Sequence, residues 1–228
     1  MSEKNSCSNE LDNCNSAKET TEINLQNHWE KSYEKDTTQL GWYQESAKES
    51  MGLIAKATIS KDEKIIDIGS GSSILIDDLL DVGYSNIIAS DISASALQNT
   101  KNRLSEEELT RVSWMTDDLT EPTELKSLSN IAIWHDRAVF HFLTKEKDRQ
   151  TYFNLLDNAV ASGKYVIIAT FNLTGAERCS GLPVQQYDEK GIAKFLGENY
   201  QLIEFFDFDY TMPNGGVRPY VYTLFRKK

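Results

Sequence analysis

Residues 64–73 read KIIDIGSGSS, an aliphatic run that ends in Asp67 and then places Gly69 and Gly71 two apart. Backbone without a side chain can approach a ligand closely. The free N–H groups at the start of the helix that SILIDDLL opens favour polar or anionic groups nearby. About 20 residues further on a second strand ends at Asp91, where a carboxylate can accept both hydroxyl hydrogens of a ribose. A glycine turn paired with such an acid reads as a nucleoside site. Two plainer readings stand beside it: the glycines make only a sharp strand-to-helix connection, and Asp91 or Ser93 only caps the helix ASALQNTKNRL. A dinucleotide would want a third glycine, but that position holds Ile74. Asp67, two residues before Gly69, could reach the ammonium of an amino acid moiety, which a nicotinamide dinucleotide lacks.

A second cluster, Trp134-His135-Asp136-Arg137, falls at the C-terminal end of the fourth strand. That is beside the switch point where ligands of open α/β sheets bind, so His135 and Asp136 are the candidate general bases. In the plainer reading Asp136 pairs with Arg137 or caps the following turn, and His135 lines the ligand without moving protons. His141, in AVFHFL, reads as packing, and His28 as equally a surface residue. Arg178 to Leu182 follows the fifth strand on the ligand side, where it would shape a second substrate's pocket. Cys179 has no neighbouring base that would make it a nucleophile.

The elements that position these residues alternate along the chain. Short β-rich runs (KIIDI, NIIASDI, RVSWM, IAIWH, GKYVIIATF) are separated by helical ones, the pattern of a parallel sheet covered on both faces. YDEKGIAKFLG reads as a helix. YQLIEFFDFDY and VRPYVYTLFRK, joined by a turn too short for a helix, must pair antiparallel. Residues 1–22 are rich in Ser, Asn and Glu with little to bury and read as a disordered tail. Residues 23–57 carry an amphipathic pattern that predicts short helices, and 23–228 reads as one domain. A length of 228 residues with 39% hydrophobic content supports one sizeable core. A net charge of −11 argues against a nucleic-acid partner. Three cysteines without C-x-x-C spacing suggest neither disulfides nor a metal site. With no apolar run of the roughly 18 residues that a bilayer needs, no membrane partner and a cytoplasmic location are expected.

DIGSGSS resembles motif I of the class I S-adenosylmethionine-dependent methyltransferases, with Ser73 in place of the common third glycine. Asp91 matches that family's ribose-binding acid. Asp118 in TDDLT, favoured over Asp117 by register, resembles the acid that accepts from the adenine amino group, with Leu119 beside the ring. NHWEKSYEKDTTQLGWYQ, IWHDRAVFHFLT, CSGLPVQQY and GGVRPYVYTLFR resemble a smaller group of bacterial-type methyltransferases, so the likeness runs from about residue 25 to the C-terminus. It implies a Rossmann-like seven-stranded sheet of order 3-2-1-4-5-7-6 with the last pair antiparallel. It also implies S-adenosyl-L-methionine as cofactor, and in-line methyl transfer to a small molecule or a protein side chain. Asp67, Gly69, Ser70, Gly71, Asp91, Ile92, Asp118, Leu119 and Trp134 would then contact the cofactor. Trp42 and Tyr43 would form a lid over its cationic centre, a core role being equally open to them. Trp29 and Tyr33 read as packing. The rivals are a nicotinamide-dependent oxidoreductase, which calls for a parallel final strand, and a cofactor-binding regulator without turnover.

Overall fold

The computed structural model of the protein describes residues 23–228, so the stretch 1–22 lies outside the described residues. Helices α1 (Leu25–Tyr33) and α2 (Lys48–Ile54) precede an alternating series. This comprises β1 (Lys64–Ile68), α3 (Leu75–Asp81), β2 (Ile87–Asp91), α4 (Ala94–Lys101), α5 (Glu106–Leu109), β3 (Val112–Thr116), β4 (Ile131–Arg137), α6 (Glu146–Ala159) and β5 (Val160–Phe171). A two-stranded hairpin, β6 (Arg178–Cys179) and β7 (Leu182–Pro183), leads to α7 (Glu189–Leu196), β8 (Tyr200–Thr211) and β9 (Val217–Lys227).

Seven strands form one sheet in the order β3-β2-β1-β4-β5-β9-β8. The first five run parallel, and β9 is antiparallel to both β5 and β8. With β6 and β7 set aside as a separate hairpin, this is the expected 3-2-1-4-5-7-6 arrangement with its antiparallel last pair. The short β6–β7 pair is an addition to the sequence reading. Its two turn residues, Ser180 and Gly181, both take positive φ (50° and 78°), as a tight two-residue hairpin requires.

The central strands are apolar on both sides because both sides are covered. Ile65, Ile87, Ile133 and Ile167 face a core filled by Leu53 and Ile54 of α2 and by Leu75, Ile76 and Leu79 of α3. Ile66, Ile88, Trp134 and Ile168 face the opposite core, filled by Tyr152, Leu155 and Leu156 of α6 and by Ile192 and Leu196 of α7. Helix starts are fixed by local capping. Asn24 accepts from the Asn27 N–H at 2.8 Å, Ser93 from Ala96 at 3.1 Å and Asp188 from Gly191 at 2.7 Å. The N-terminal helices are tied to the sheet by Glu30 on α1, whose carboxylate accepts from the Ala94 N–H at 2.7 Å at the start of α4.

One buried network anchors α6. The Tyr152 hydroxyl accepts from Trp134 Nε1 at 3.0 Å and donates to Asp136 Oδ2 at 2.8 Å. Removing that hydroxyl strands a buried indole N–H and a buried carboxylate oxygen, which cost more unpaired than a typical hydrogen bond contributes. Tyr152→Phe is therefore expected to lose about 2–4 kcal/mol of unfolding free energy in urea titrations. A change below about 0.5 kcal/mol would show that the network carries little of the stability.

Candidate functional site

Five parallel strands end along one edge of the sheet, and their C-terminal ends deliver the predicted residues to one place. β1 runs into Gly69 and Gly71, both at positive φ (58° and 56°). A Cβ on Gly69 would overlap the Val139 side chain, and one on Gly71 would overlap the Tyr33 hydroxyl, so neither position has room for a side chain. β2 ends at Asp91, whose carboxylate accepts from the Gly71 N–H through Oδ2 and from the Ser93 N–H through Oδ1, each at 2.8 Å. Asp91 thus holds the glycine turn in shape, and Ser93 performs the capping. Burial pushes the Asp91 carboxyl up to about 6 against the pull of those two N–H groups.

β3 ends in two acids with different tasks. Asp117 accepts from the N–H groups of Thr123 and Leu125, each at 2.9 Å, and so fastens the loop that follows. Asp118 accepts from Thr120 through Oδ1 alone, and both acids line the cavity with Leu119.

A cavity of about 350 Å³ runs along this edge. Leu25, Trp29, Tyr33 and Trp42 flank it, Asp91, Ile92, Asp118 and Leu119 lie at one end, and Cys179, Arg218 and Tyr220 line it as well. A smaller cavity of about 40 Å³ lies at the turn itself, lined by Asp67, Gly69, Ser70, Gly71, Tyr43 and His135. Trp42 and Arg137 line both. Trp29 and Tyr33, read from sequence as packing, are cavity walls too. Trp42 stands edge-on to each, with ring centroids 5.7 and 5.9 Å away. The backbone carbonyl of Trp42 accepts from Arg137 Nη1 at 3.1 Å, which pins this segment over the strand ends.

Three of the predicted contacts are corrected by the geometry. Side chains alternate along a strand, so Trp134 and Asp136 point to the α6 face, away from the segment that carries Trp42. Trp134 is fully buried there beside Tyr152 and touches neither cavity. Asp136 is fully buried as well, accepting from Val139 and Phe140 N–H groups and from Tyr152. Burial pushes its carboxyl up to about 6, and it lines neither cavity. His135 faces the other way, yet both of its nitrogens are taken. Nδ1 lies 2.6 Å from Asp67 Oδ1 and Nε2 lies 2.8 Å from the Ser50 hydroxyl. Both His135 nitrogens thus have protein partners, and Asp136 lines neither cavity. The sequence hid this chain because Ser50, on α2, is 85 residues away from His135.

The donor set fits an adenosyl amino acid. Asp67 Oδ2 and the Ser70 hydroxyl are buried without a hydrogen-bond partner beside the smaller cavity, where an ammonium would satisfy the first. Asp91 and Asp118 each keep lone pairs facing the larger cavity, and the glycine turn leaves no side chain in the way.

Comparison with known proteins agrees with this geometry. Residues 59–195 match the family described as a methyltransferase domain. The chain belongs to that family. It is an S-adenosyl-L-methionine-dependent methyltransferase. Over 169 residues it is 24% identical to EEF1A lysine methyltransferase 2 of Mus musculus, covering 68% of each chain. It is 26% identical to the Danio rerio protein of the same name, covering 68% of this chain and 71% of that one. Among solved structures, a SAM-dependent methyltransferase from Anabaena variabilis superposes with a TM-score of 0.67 at 14% identity, covering 91% and 96% of the two chains. The N-methyltransferase NodS from Bradyrhizobium japonicum gives 0.62 at 13%, covering 79% and 94%. The oxidoreductase rival falls with the family match and with the antiparallel final strands of this methyltransferase. No described helix is long and apolar enough to cross a membrane.

The two raised carboxyls make a prediction about pH. Between about pH 4 and 6 the folded methyltransferase keeps protons on Asp91 and Asp136 that the unfolded chain has lost. Their contribution to stability is therefore complete at low pH and disappears as pH rises through 6. Asp136→Asn is expected to flatten the profile in that window by up to about 1.4 kcal/mol per pH unit relative to the parent. Parallel profiles in urea titrations would mean that Asp136 ionises normally in the folded state.

Proposed function

We propose that the larger cavity holds the cofactor with its adenine between Asp118 and Leu119, its ribose on Asp91 and its methionine end at the glycine turn. The acceptor then enters from the Cys179–Tyr220 end. The observation that carries this reading is the single row of strand ends, which puts Asp67, Gly69, Asp91 and Asp118 along one continuous wall in the order that an adenosyl amino acid presents its groups. Ser70, Gly71 and Ile92 complete that wall through backbone, and residues 23–57 act as the lid through Trp42 and Tyr43.

When bound, the cofactor supplies a methyl carbon already activated by its sulfonium, and the bond to the acceptor forms as the carbon–sulfur bond breaks with its electron pair returning to sulfur. The chain's own work is to orient the partners and exclude water. Trp29, Tyr33 and Trp42 close the cavity from one side, and their ring faces favour a nearby cationic centre. His135, held by Asp67 and Ser50, fixes the β1 carboxylate so that Oδ2 faces the amino acid end. The acceptor is a small molecule or a protein side chain. The names of the curated relatives favour a lysine as one form of the second.

Two measurements test this reading. Isothermal calorimetry with S-adenosylhomocysteine should show binding, and Asp91→Asn should weaken it by about 1–3 kcal/mol through loss of charged hydrogen bonds. Asparagine is the chosen replacement because its side-chain oxygen still accepts from a backbone N–H of the turn. An unchanged dissociation constant would remove Asp91 from the ribose.

A further inference from the structure

The larger cavity is divided by charge. Its three carboxylates, Asp91, Asp117 and Asp118, all follow β2 and β3 at the cofactor end. Its two cations, Arg137 and Arg218, stand with Tyr220 on β4 and β9, Arg137 also lining the smaller cavity at the glycine turn. Neither arginine forms an ion pair among the described residues. Arg137 spends Nε on the Tyr222 hydroxyl at 3.0 Å and Nη1 on the Trp42 carbonyl, and its guanidinium lies 5.3 Å from the Tyr220 ring centre. Its Nη2 is buried with no partner. Arg218 sits two residues before Tyr220, on the same face of β9, and its Nε is also buried and unpaired.

A third unpaired donor completes the group. His141 is fully buried and lines the same cavity. Its Nδ1 accepts from the Phe171 N–H at 3.4 Å and lies 3.1 Å from the Thr170 hydroxyl, which leaves the proton of the neutral ring on Nε2. That Nε2 has no partner. Burial and the Arg137 charge hold the imidazole down at about 3, so it stays a neutral donor at ordinary pH. Three orphaned N–H groups and an uncompensated pair of cations are costly inside a protein unless a ligand answers them.

We infer that the acceptor is a small carboxylic acid whose carboxylate docks against Arg137, Arg218 and His141, with its apolar body against Phe171 and Tyr220; one carboxylate oxygen bonds the methyl carbon as the carbon–sulfur bond breaks, giving a methyl ester and S-adenosylhomocysteine with no proton to remove. Arginine's planar fork suits a carboxylate. A lysine ammonium would meet two positive charges and no carboxylate at this end, the reverse of what it needs. The inference rests on the cofactor placement proposed above, because that placement leaves this end for the acceptor.

The test uses the full chain saturated with S-adenosylhomocysteine, probed by saturation-transfer NMR and calorimetry with benzoate and indole-3-acetate, each beside its neutral amide. A lysine-containing peptide forms the third arm, and methyl transfer from labelled cofactor is followed for all three. The acids are expected to be favoured over their amides by about tenfold or more. Arg218→Gln, on a partly exposed strand position, should erase that preference while changing S-adenosylhomocysteine affinity less than about twofold. Equal binding of acid and amide, transfer to the peptide in preference to the acids, or an acid preference that survives Arg218→Gln would each overturn the proposal. Weakening of S-adenosylhomocysteine by Arg218→Gln with the acid preference intact would assign the arginine to the cofactor and overturn it too. Failure of S-adenosylhomocysteine to bind the parent protein would sink the cofactor placement itself, a different result from its binding with no acid preference.

Discussion

Two backbone N–H groups, one from the glycine turn after β1 and one from the segment that starts α4, converge on the carboxylate of Asp91. That contact joins two neighbouring strands at the point where both stop being strands. It sets the spacing between the turn and the second strand end, so every distance along the cavity floor depends on it. Its strength comes from burial: at 6% exposure the carboxylate has given up most of its water, and the two N–H bonds replace it. Gly71 can supply its N–H only because its positive φ turns the backbone toward Asp91, and the space that a Cβ would need is already filled by the Tyr33 hydroxyl. α1, the turn and Asp91 are therefore one packed unit.

β4 shows how one strand can serve two unlike neighbourhoods. On one side Trp134 and Asp136 build a stiff polar network under α6. On the other, His135 links β1 to α2 through Asp67 and Ser50, and Arg137 links the sheet to the segment between α1 and α2 through the Trp42 carbonyl. The strand then turns at Ala138, a non-glycine residue at φ 69° whose N–H donates to the Ala169 carbonyl at 2.8 Å. A left-handed alanine is strained, and the strain is located where Ala138 lines the cavity.

The fold was largely legible in the sequence because its signals are local. Apolar runs such as KIIDI, spaced by helical stretches, specify a parallel sheet, and two long strands across a short turn specify the antiparallel pair. Gly69, Gly71, Asp91 and Asp118 were legible for the same reason: each sits at a strand end that periodicity locates. Partnerships made through space were not. Nothing near His135 in the chain announces Ser50, so the sequence leaves acid–base and supporting roles open for the WHDR cluster, and of these the structure shows Asp136 capping the following turn through the Val139 and Phe140 N–H groups. Trp134 was assigned to the cofactor although strand alternation, once β4 was placed, already sent it to the side opposite His135. Trp29 and Tyr33 carry an amphipathic pattern that reads as packing, and only the packed helices show that the same two side chains also line the cavity.

His135 reaches only the smaller cavity, with both nitrogens hydrogen-bonded, and Asp136 lines neither cavity, which bears on the acceptors that the chemistry tolerates. A protonated amine or a neutral hydroxyl must lose a proton on the way to methylation, and a base within reach has to take it. Among the described residues that line the far end of the cavity, His141 is held neutral with its basicity suppressed, Tyr220 is pushed up beyond the ordinary tyrosine range by burial, and the Cys179 thiol is raised by burial as well. None is suited to removing a proton at neutral pH. An acceptor that arrives already anionic needs no such group, and cations on the wall would hold it without any proton changing hands. The lack of a base and the surplus of N–H donors at one end of the cavity thus point to the same property of the molecule that enters there.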